Sequence, residues 1–232
     1  MAYHHGNLRE ALLERAAEVI ADRGVEGLSL RALARDLGVS HAAPRRHFAD
    51  RTALIAELAK EGFRRSVEAM NAGAEAAGPD PVARYRALGR SYVRFACEQR
   101  ALFLAQNHPE VRAMLDDDVR AAQSEWFRTL REGAEAAQRA GWHPEADTEA
   151  LIAFSIAGAS GAATLLADPS WLRLLGVEDV EALADDVLDL VVHRSRTTAL
   201  PMPTDASEAS DSNPSSSISA NSSSDDDERR AS

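Results

Sequence analysis

The chain has one cysteine and one lysine among its 232 residues, and aromatic side chains make up only 5% of it. With Cys97 alone no intrachain disulfide can form, and a reducing, cytoplasmic home is expected. A secretory leader is not expected either. Residues 1–20 include His4, His5, Arg9, Glu10, Glu14, Arg15 and Glu18, which leave no long apolar run. Neither H-E-x-x-H nor C-x-x-C occurs, so the common zinc spacings are missing, and the His4–His5 pair reads as solvent-exposed. There is no G-x-S-x-G elbow and no Ser/His/Asp set placed for nucleophilic chemistry. These absences predict a protein that is not an enzyme, with no metal and no cofactor. Lys60 aside, every basic residue is arginine, and alanine is abundant, a bias that suggests a high-GC bacterial coding sequence.

The net charge of −11 argues against nucleic acid until it is divided along the chain. Residues 1–62 hold nine basic and nine acidic side chains. Residues 198–232 hold two basic and seven acidic ones, which leaves −6 for residues 63–197. Between Ser40 and Arg51 stand three arginines, two histidines and one acid, Asp50. A locally basic tip on an acidic body is therefore expected. The local field is what a phosphate feels, because screening cuts it off over roughly 8 Å at physiological salt.

That tip lies in a stretch, residues 29–48, with the grammar of two short helices and a corner. Ser29 is suited to cap the first, its hydroxyl accepting from a free first-turn N–H. Leu30, Leu33, Ala34 and Leu37 fall on one helical face. Gly38 stands where a sharp turn needs φ > 0, and Val39 plugs the corner. Ser40 is placed to cap a second helix carrying His41, Arg45, Arg46 and His47. This is a helix-turn-helix pattern, whose second helix enters the DNA major groove. Pro44 removes one intrahelical bond unless it falls in the first turn, so that helix is expected to start loosely. Phe48 is expected to be core.

Elsewhere the periodicity is helical throughout. Asn7 is placed to cap a helix running to about Arg23, with Leu8, Leu12, Ala16, Val19 and Ile20 as its apolar stripe. Asp50 is placed to cap another from Arg51 to about Ala77, ended by the Gly78–Pro81 cluster. Further helices are predicted over Val82–Gln99, Ala101–Gln106, Glu110–Ala140, Glu145–Ala167 (opened by Pro144) and Val177–His193. Ala150–Ala167 is an 18-residue run without charge, long enough to raise a membrane span. It is dominated by Ala, Gly and Ser, which let helix backbones approach closely. With Val177–His193 it is better suited to a four-helix dimer interface than to a bilayer. Residues 198–232, rich in Ser, Asp and Asn, read as a disordered tail.

The words Tyr3–Leu12, Gly27–Ser40, His41–Pro44 and Arg46–Leu54 together resemble the DNA-binding domain of TetR-type (tetracycline-repressor-type) transcriptional regulators. Over residues 64–197 the likeness is one of helices rather than motifs. Some such proteins carry a Trp-His-Gly-like word where this chain reads Ile156-Ala-Gly-Ala-Ser-Gly161. The chain also has Arg45 where the family usually has Tyr, and Arg51 where it usually has Lys. An arginine still meets phosphate with charge assistance, or reaches a guanine edge.

The resemblance implies an all-α fold of about nine helices. An N-terminal three-helix bundle with helix-turn-helix is expected over residues 6–66, then a helical ligand-binding and dimerisation domain over 67–197, then the tail. It implies a homodimeric, small-molecule-responsive repressor that reads a near-palindromic operator in double-stranded DNA. Arg31, Ser40, His41, Ala42, Arg45, Arg46, His47 and Arg51 are the expected DNA contacts. Tyr92, Phe95, Phe103, Trp126, Phe127 and Phe154 are candidate walls of an effector pocket among the middle helices.

Overall fold

The computed structural model describes residues 7–114, 116–176 and 179–193. The tail expected over 198–232 and the pair His4–His5 lie outside the described residues. The described residues fall in one compact unit. Ten α-helices, and no strand, are found among the described residues, so the all-α expectation holds.

Helix α1 is Leu8–Arg23, with Leu12, Ala16 and Ile20 fully buried at four-residue spacing. Asn7 does not cap it through its side chain; its amide donates to Glu10 instead. A tight 3-10 turn, Val25–Gly27, leads to α2, Leu30–Asp36. Ser29 occupies the N-cap position with extended backbone, but its hydroxyl makes no capping bond. Ser29 is exposed, and a helix end open to solvent needs no side-chain cap. The other end of α2 is as expected. Gly38 has φ +68°, its N–H bonds Arg35 O at 3.1 Å, and Val39 N–H bonds Ala34 O at 2.9 Å. This pair of bonds, with a left-handed residue between helix and loop, is a Schellman motif, and glycine holds that backbone without the Cβ strain of other residues.

The second helix of the reading head is shorter than expected. Residues 40–47 form successive tight turns, with a 3-10 helix only over Pro44–Arg46. Ala43 N–H reaches Ser40 O at 2.9 Å, and Pro44 has no N–H to extend an α-helical ladder. Pro44 is fully buried beside a buried Phe48, so the turn is anchored by an apolar plug. The Arg9 guanidinium lies 5.5 Å from the centre of the Phe48 ring.

Helix α3, Arg51–Ala76, runs about 39 Å from the head into the body without a break near residue 66. Asp50 caps it as expected, accepting from Ala53 N–H at 2.8 Å. Helix α4, Pro81–Glu98, packs closely along α3. A Cβ on Gly73 of α3 would lie 1.9 Å from Ser91 Oγ of α4, so this crossing requires glycine. Helix α5, Arg100–Gln106, packs against both α1 and α3.

The long helix expected over Glu110–Ala140 is two helices, α6 (Pro109–Arg112) and α7 (Asp117–Arg139). Asp116 restarts the helix by accepting from Val119 N–H at 2.9 Å, and Asp117 and Asp118 suit the positive end of the new helix dipole. Nor does Pro144 open the next helix. The Gln138 side chain bonds the carbonyls of His143 and Ala146 at 3.2 and 2.9 Å, holding this segment as a loop. Asp147 then caps α8, Thr148–Leu166. A short helix with no counterpart among the expected elements, α9 (Pro169–Leu175), precedes α10, Val180–His193.

Helix α8 is long and apolar enough to cross a membrane, and 22% of its most apolar window is buried. Its inner face packs on α4, α7 and α10. Beyond its first turn, its exposed residues, Ala153, Phe154, Ala157, Gly161, Thr164 and Leu165, form one stripe at helical spacing. A Cβ on Gly161 would meet nothing within 4 Å.

Candidate nucleic-acid interface and ligand pocket

Ser40, His41, Ala42, Arg45, Arg46 and His47 are all exposed along the turns that follow α2, and Arg31 is exposed at the start of α2. Among the described residues Arg31, Arg45 and Arg46 make no ion pair and no hydrogen bond. Other arginines of the head are engaged. Arg9 pairs with Glu57, Arg15 with Asp36 at 2.9 Å, and Arg23 with Asp22 at 3.0 Å. The three unpaired guanidiniums thus keep all their donors, in the planar fork that matches phosphate or a guanine edge.

Arg51 is different. Its side chain is only 26% exposed, and its guanidinium meets Glu110 at 3.0 Å, Glu26 at 3.2 Å and Val25 O at 2.9 Å. Thr52 Oγ1 donates to the other Glu110 oxygen at 3.0 Å. Those bonds from Thr52, and then Arg51, hold the Glu110 carboxyl below the usual carboxylate range. His108 meets Glu26 at 3.2 Å. So the start of α3 is tied through Glu110 to α6, in the body. Nothing in the sequence pattern pairs residues 51 and 110; only the fold brings them together.

Behind α6 lies a cleft. Asn107, just before α6, donates to the Tyr92 hydroxyl at 3.3 Å, and Arg112, at its end, donates to Asn107 O at 3.0 Å. Tyr92, Asn107, Arg112, Gln123, Trp126 and Phe127 line a cleft of about 400 Å3, within the range of small-molecule sites. A narrower crevice of about 40 Å3 shares Tyr92, Trp126, Ile156 and Ser160 with it. Tyr85, Arg86, Leu88 and Gly89 of α4, Leu130 of α7, and Ser155 and Ala159 of α8 complete the crevice.

Among the described residues four buried side-chain polar atoms have no hydrogen-bond partner, and all belong to residues of these two cavities: Tyr85 Oη, Arg86 Nε, Trp126 Nε1 and Gln106 Oε1. Leaving such an atom unpaired costs about 1–3 kcal/mol, so the fold carries a local deficit here. Burial pushes the Tyr85 hydroxyl up from its ordinary pKa, and the Ser155 hydroxyl, outside full hydrogen-bond geometry but directed at Tyr85 Oη, acts in the opposite direction. Of the expected walls, Tyr92, Trp126 and Phe127 line the cleft. Phe95 and Phe103 are buried outside it; Phe103 stacks edge-on behind Tyr92, with centroids 5.9 Å apart. Phe154 is 53% exposed on the outer stripe of α8. Tyr85, Arg86 and Gln106 escape sequence reasoning, because a polar group among aromatics leaves no periodic signal. Cys97 is half-buried, and burial, then Glu98, pushes its thiol up, away from the reactive thiolate.

Residues 12–58, from the middle of α1 into α3, match the sequence profile of bacterial regulatory proteins of the tetR family. The chain belongs to the TetR family. Its N-terminal region is the DNA-binding part of a transcriptional regulator. A Rhodococcus sp. RHA1 protein of unknown function is 35% identical in sequence. That likeness covers 83% of this chain and 97% of the other, with a TM-score of 0.67. The TetR family regulator PfmR of Thermus thermophilus shares the fold at 21% identity, over 78% of this chain and 97% of its own, with a TM-score of 0.59. AibR, solved with isovaleryl coenzyme A and operator DNA, shares it at 20% identity, over 79% and 97%, with a TM-score of 0.62. No curated protein shows significant similarity to the chain.

Proposed function

We propose that this TetR-family protein is a cytoplasmic, homodimeric repressor that leaves its near-palindromic operator when a small molecule enters the cleft behind α6. The unpaired set Arg31, Arg45 and Arg46 carries the DNA part of this reading. In a molecule rich in arginine–carboxylate pairs, these three arginines are exposed, have no acidic partner among the described residues, and belong to the same helix-turn-helix stretch as His41 and His47. Each head places residues 40–47 in a major groove, with Ser40, His41 and Ala42 nearest the base edges and the arginines on phosphate or guanine.

The outer stripe of α8 supports the dimer. Gly161 costs about 1 kcal/mol of helix propensity relative to Ala, and among the described residues nothing lies within 4 Å of where a Cβ would stand. A second copy of α8 crossing there would use it. Effector response runs through α6. Its N-terminal flank touches the cleft through Asn107 and Tyr92, and its Glu110 holds Arg51 and Thr52 at the base of the head. A ligand that displaces Asn107 or Arg112 re-sets the Glu110 contact and with it the angle of the head. Such a ligand shifts the population only by its differential affinity for the two states. In this arrangement Arg51 serves the joint between head and body.

A transcriptional reporter checks the sign of regulation. The full chain, expressed beside a promoter that contains its selected binding site, is expected to lower transcription. A rise would make it an activator. A second reading, a ligand-binding dimer whose head no longer reads DNA, is favoured by one observation, the 3-10 turn that replaces a full second helix at Pro44–Arg46.

A further inference from the structure

We propose that the crevice between α4, α7 and α8 is the acid-binding end of the effector pocket, and that the effector is a compact organic carboxylate. The inference rests on the reading of that cleft as the effector site and adds the chemistry of what fills it. Three of the unpartnered buried atoms sit on residues of the crevice: Arg86 Nε, Trp126 Nε1 and Tyr85 Oη. All three can donate a hydrogen bond. A carboxylate accepts only, with about four lone-pair sites, and so answers three donors at once. A cationic group would face three donors and a guanidinium.

Charge points the same way. Among the described residues Arg86 makes no ion pair, although Arg90 and Arg94 on the same helix pair with Asp185 at 2.8 Å and with Glu98 at 3.9 Å. No acidic side chain among the described residues lines either the crevice or the cleft. That is unusual in a body carrying a net charge of −6 over residues 63–197. The three donors place the acid group at the Arg86 end, with the apolar body among Tyr92, Trp126 and Phe127 of the wider cleft. About 400 Å3 holds roughly a dozen non-hydrogen atoms, at the ~30 Å3 that one water takes in the liquid.

The test is calorimetric titration of the full chain with octanoate, 1-octanol and octylamine, which share a body and differ in the head group. Octanoate is expected to bind at least tenfold tighter than octanol, and octylamine not measurably. Equal or tighter binding of octanol or octylamine would overturn the carboxylate assignment and leave the pocket standing. No binding by any of the three would remove the pocket reading itself. Octanoyl-coenzyme A, in which the acid is masked as a thioester, is expected to bind more weakly than octanoate; tighter binding would move anion recognition out of the crevice and contradict the proposal. Arg86→Met is expected to weaken octanoate about tenfold and leave octanol unchanged, with Arg86→Lys recovering part of the loss. Tyr85→Phe gives an independent variant, expected to weaken octanoate and spare octanol. Octanoate binding that survives both changes overturns the assignment.

Discussion

Replacing Arg45 and Arg46 together by alanine is expected to weaken operator binding by at least ~100-fold, with the fold and the dimer unchanged. Both side chains are exposed and make no hydrogen bond or ion pair among the described residues, so their removal breaks none of those bonds. A hydrogen bond to a charged group is worth about 1.5–3 kcal/mol, which for two arginines in one head already exceeds two orders of magnitude in affinity. The salt dependence carries the sharper signature. Every phosphate that is no longer neutralised should lower the slope of log K against log salt by about 0.9, so a flatter slope identifies arginines that sit on phosphate. If the slope stays and discrimination among sequences falls, the same arginines read guanine edges. Fluorescence anisotropy with a labelled operator, at several salt concentrations, measures both quantities. Circular dichroism checks that helix content is unchanged.

Placing a charge on the outer face of α8 is expected to have a comparable effect by another route. Gly161→Glu should raise the dimer dissociation constant on the order of 100-fold or more, because a carboxylate then stands where two copies of α8 cross and faces its own image. The monomer should remain folded. Glutamate is a good helix former, and a Cβ at this position meets nothing within 4 Å among the described residues. Operator affinity should fall with the dimer, since one head alone makes half the contacts. Gly161→Ala separates two explanations of the glycine. If nothing crosses there, alanine stabilises the protein by about 1 kcal/mol and the dimer is untouched. If a second helix crosses there, the added methyl weakens association. Sedimentation velocity over a concentration series distinguishes the two outcomes.

Sequence reasoning reaches the fold through features that are local. Leu12, Ala16 and Ile20 announce α1, Asp50 the start of α3, and Gly38 the corner after α2, because each acts within one turn of the chain. It misses elements in which one local rule meets a stronger one. Asp116 ends and restarts what looks like a single helix, and Gln138 holds open the loop that Pro144 is expected to close. Pro44 is legible as a disturbance, though not as a buried plug. The site divides the same way. The basic tip can be read because its residues are contiguous. The joint of Arg51 with Glu110 joins residues far apart in sequence, and neither is unusual in its own neighbourhood. The pocket is half legible. Aromatic spacing finds Tyr92, Trp126 and Phe127, but the same spacing produces the core positions Phe95 and Phe103 and the exposed Phe154. What marks the pocket physically is unpaired polarity at Tyr85, Arg86 and Gln106, which no periodicity encodes.

Selection of fragments bound by the full chain, from the genome that encodes it, puts sequence-specific DNA binding to the test. A near-palindromic sequence with half-sites about one helical turn, or a multiple of it, apart should be enriched, and that enrichment should be lost with the Arg45→Ala, Arg46→Ala chain. No enriched sequence, or the same enrichment with both arginines removed, would contradict sequence-specific binding through these arginines.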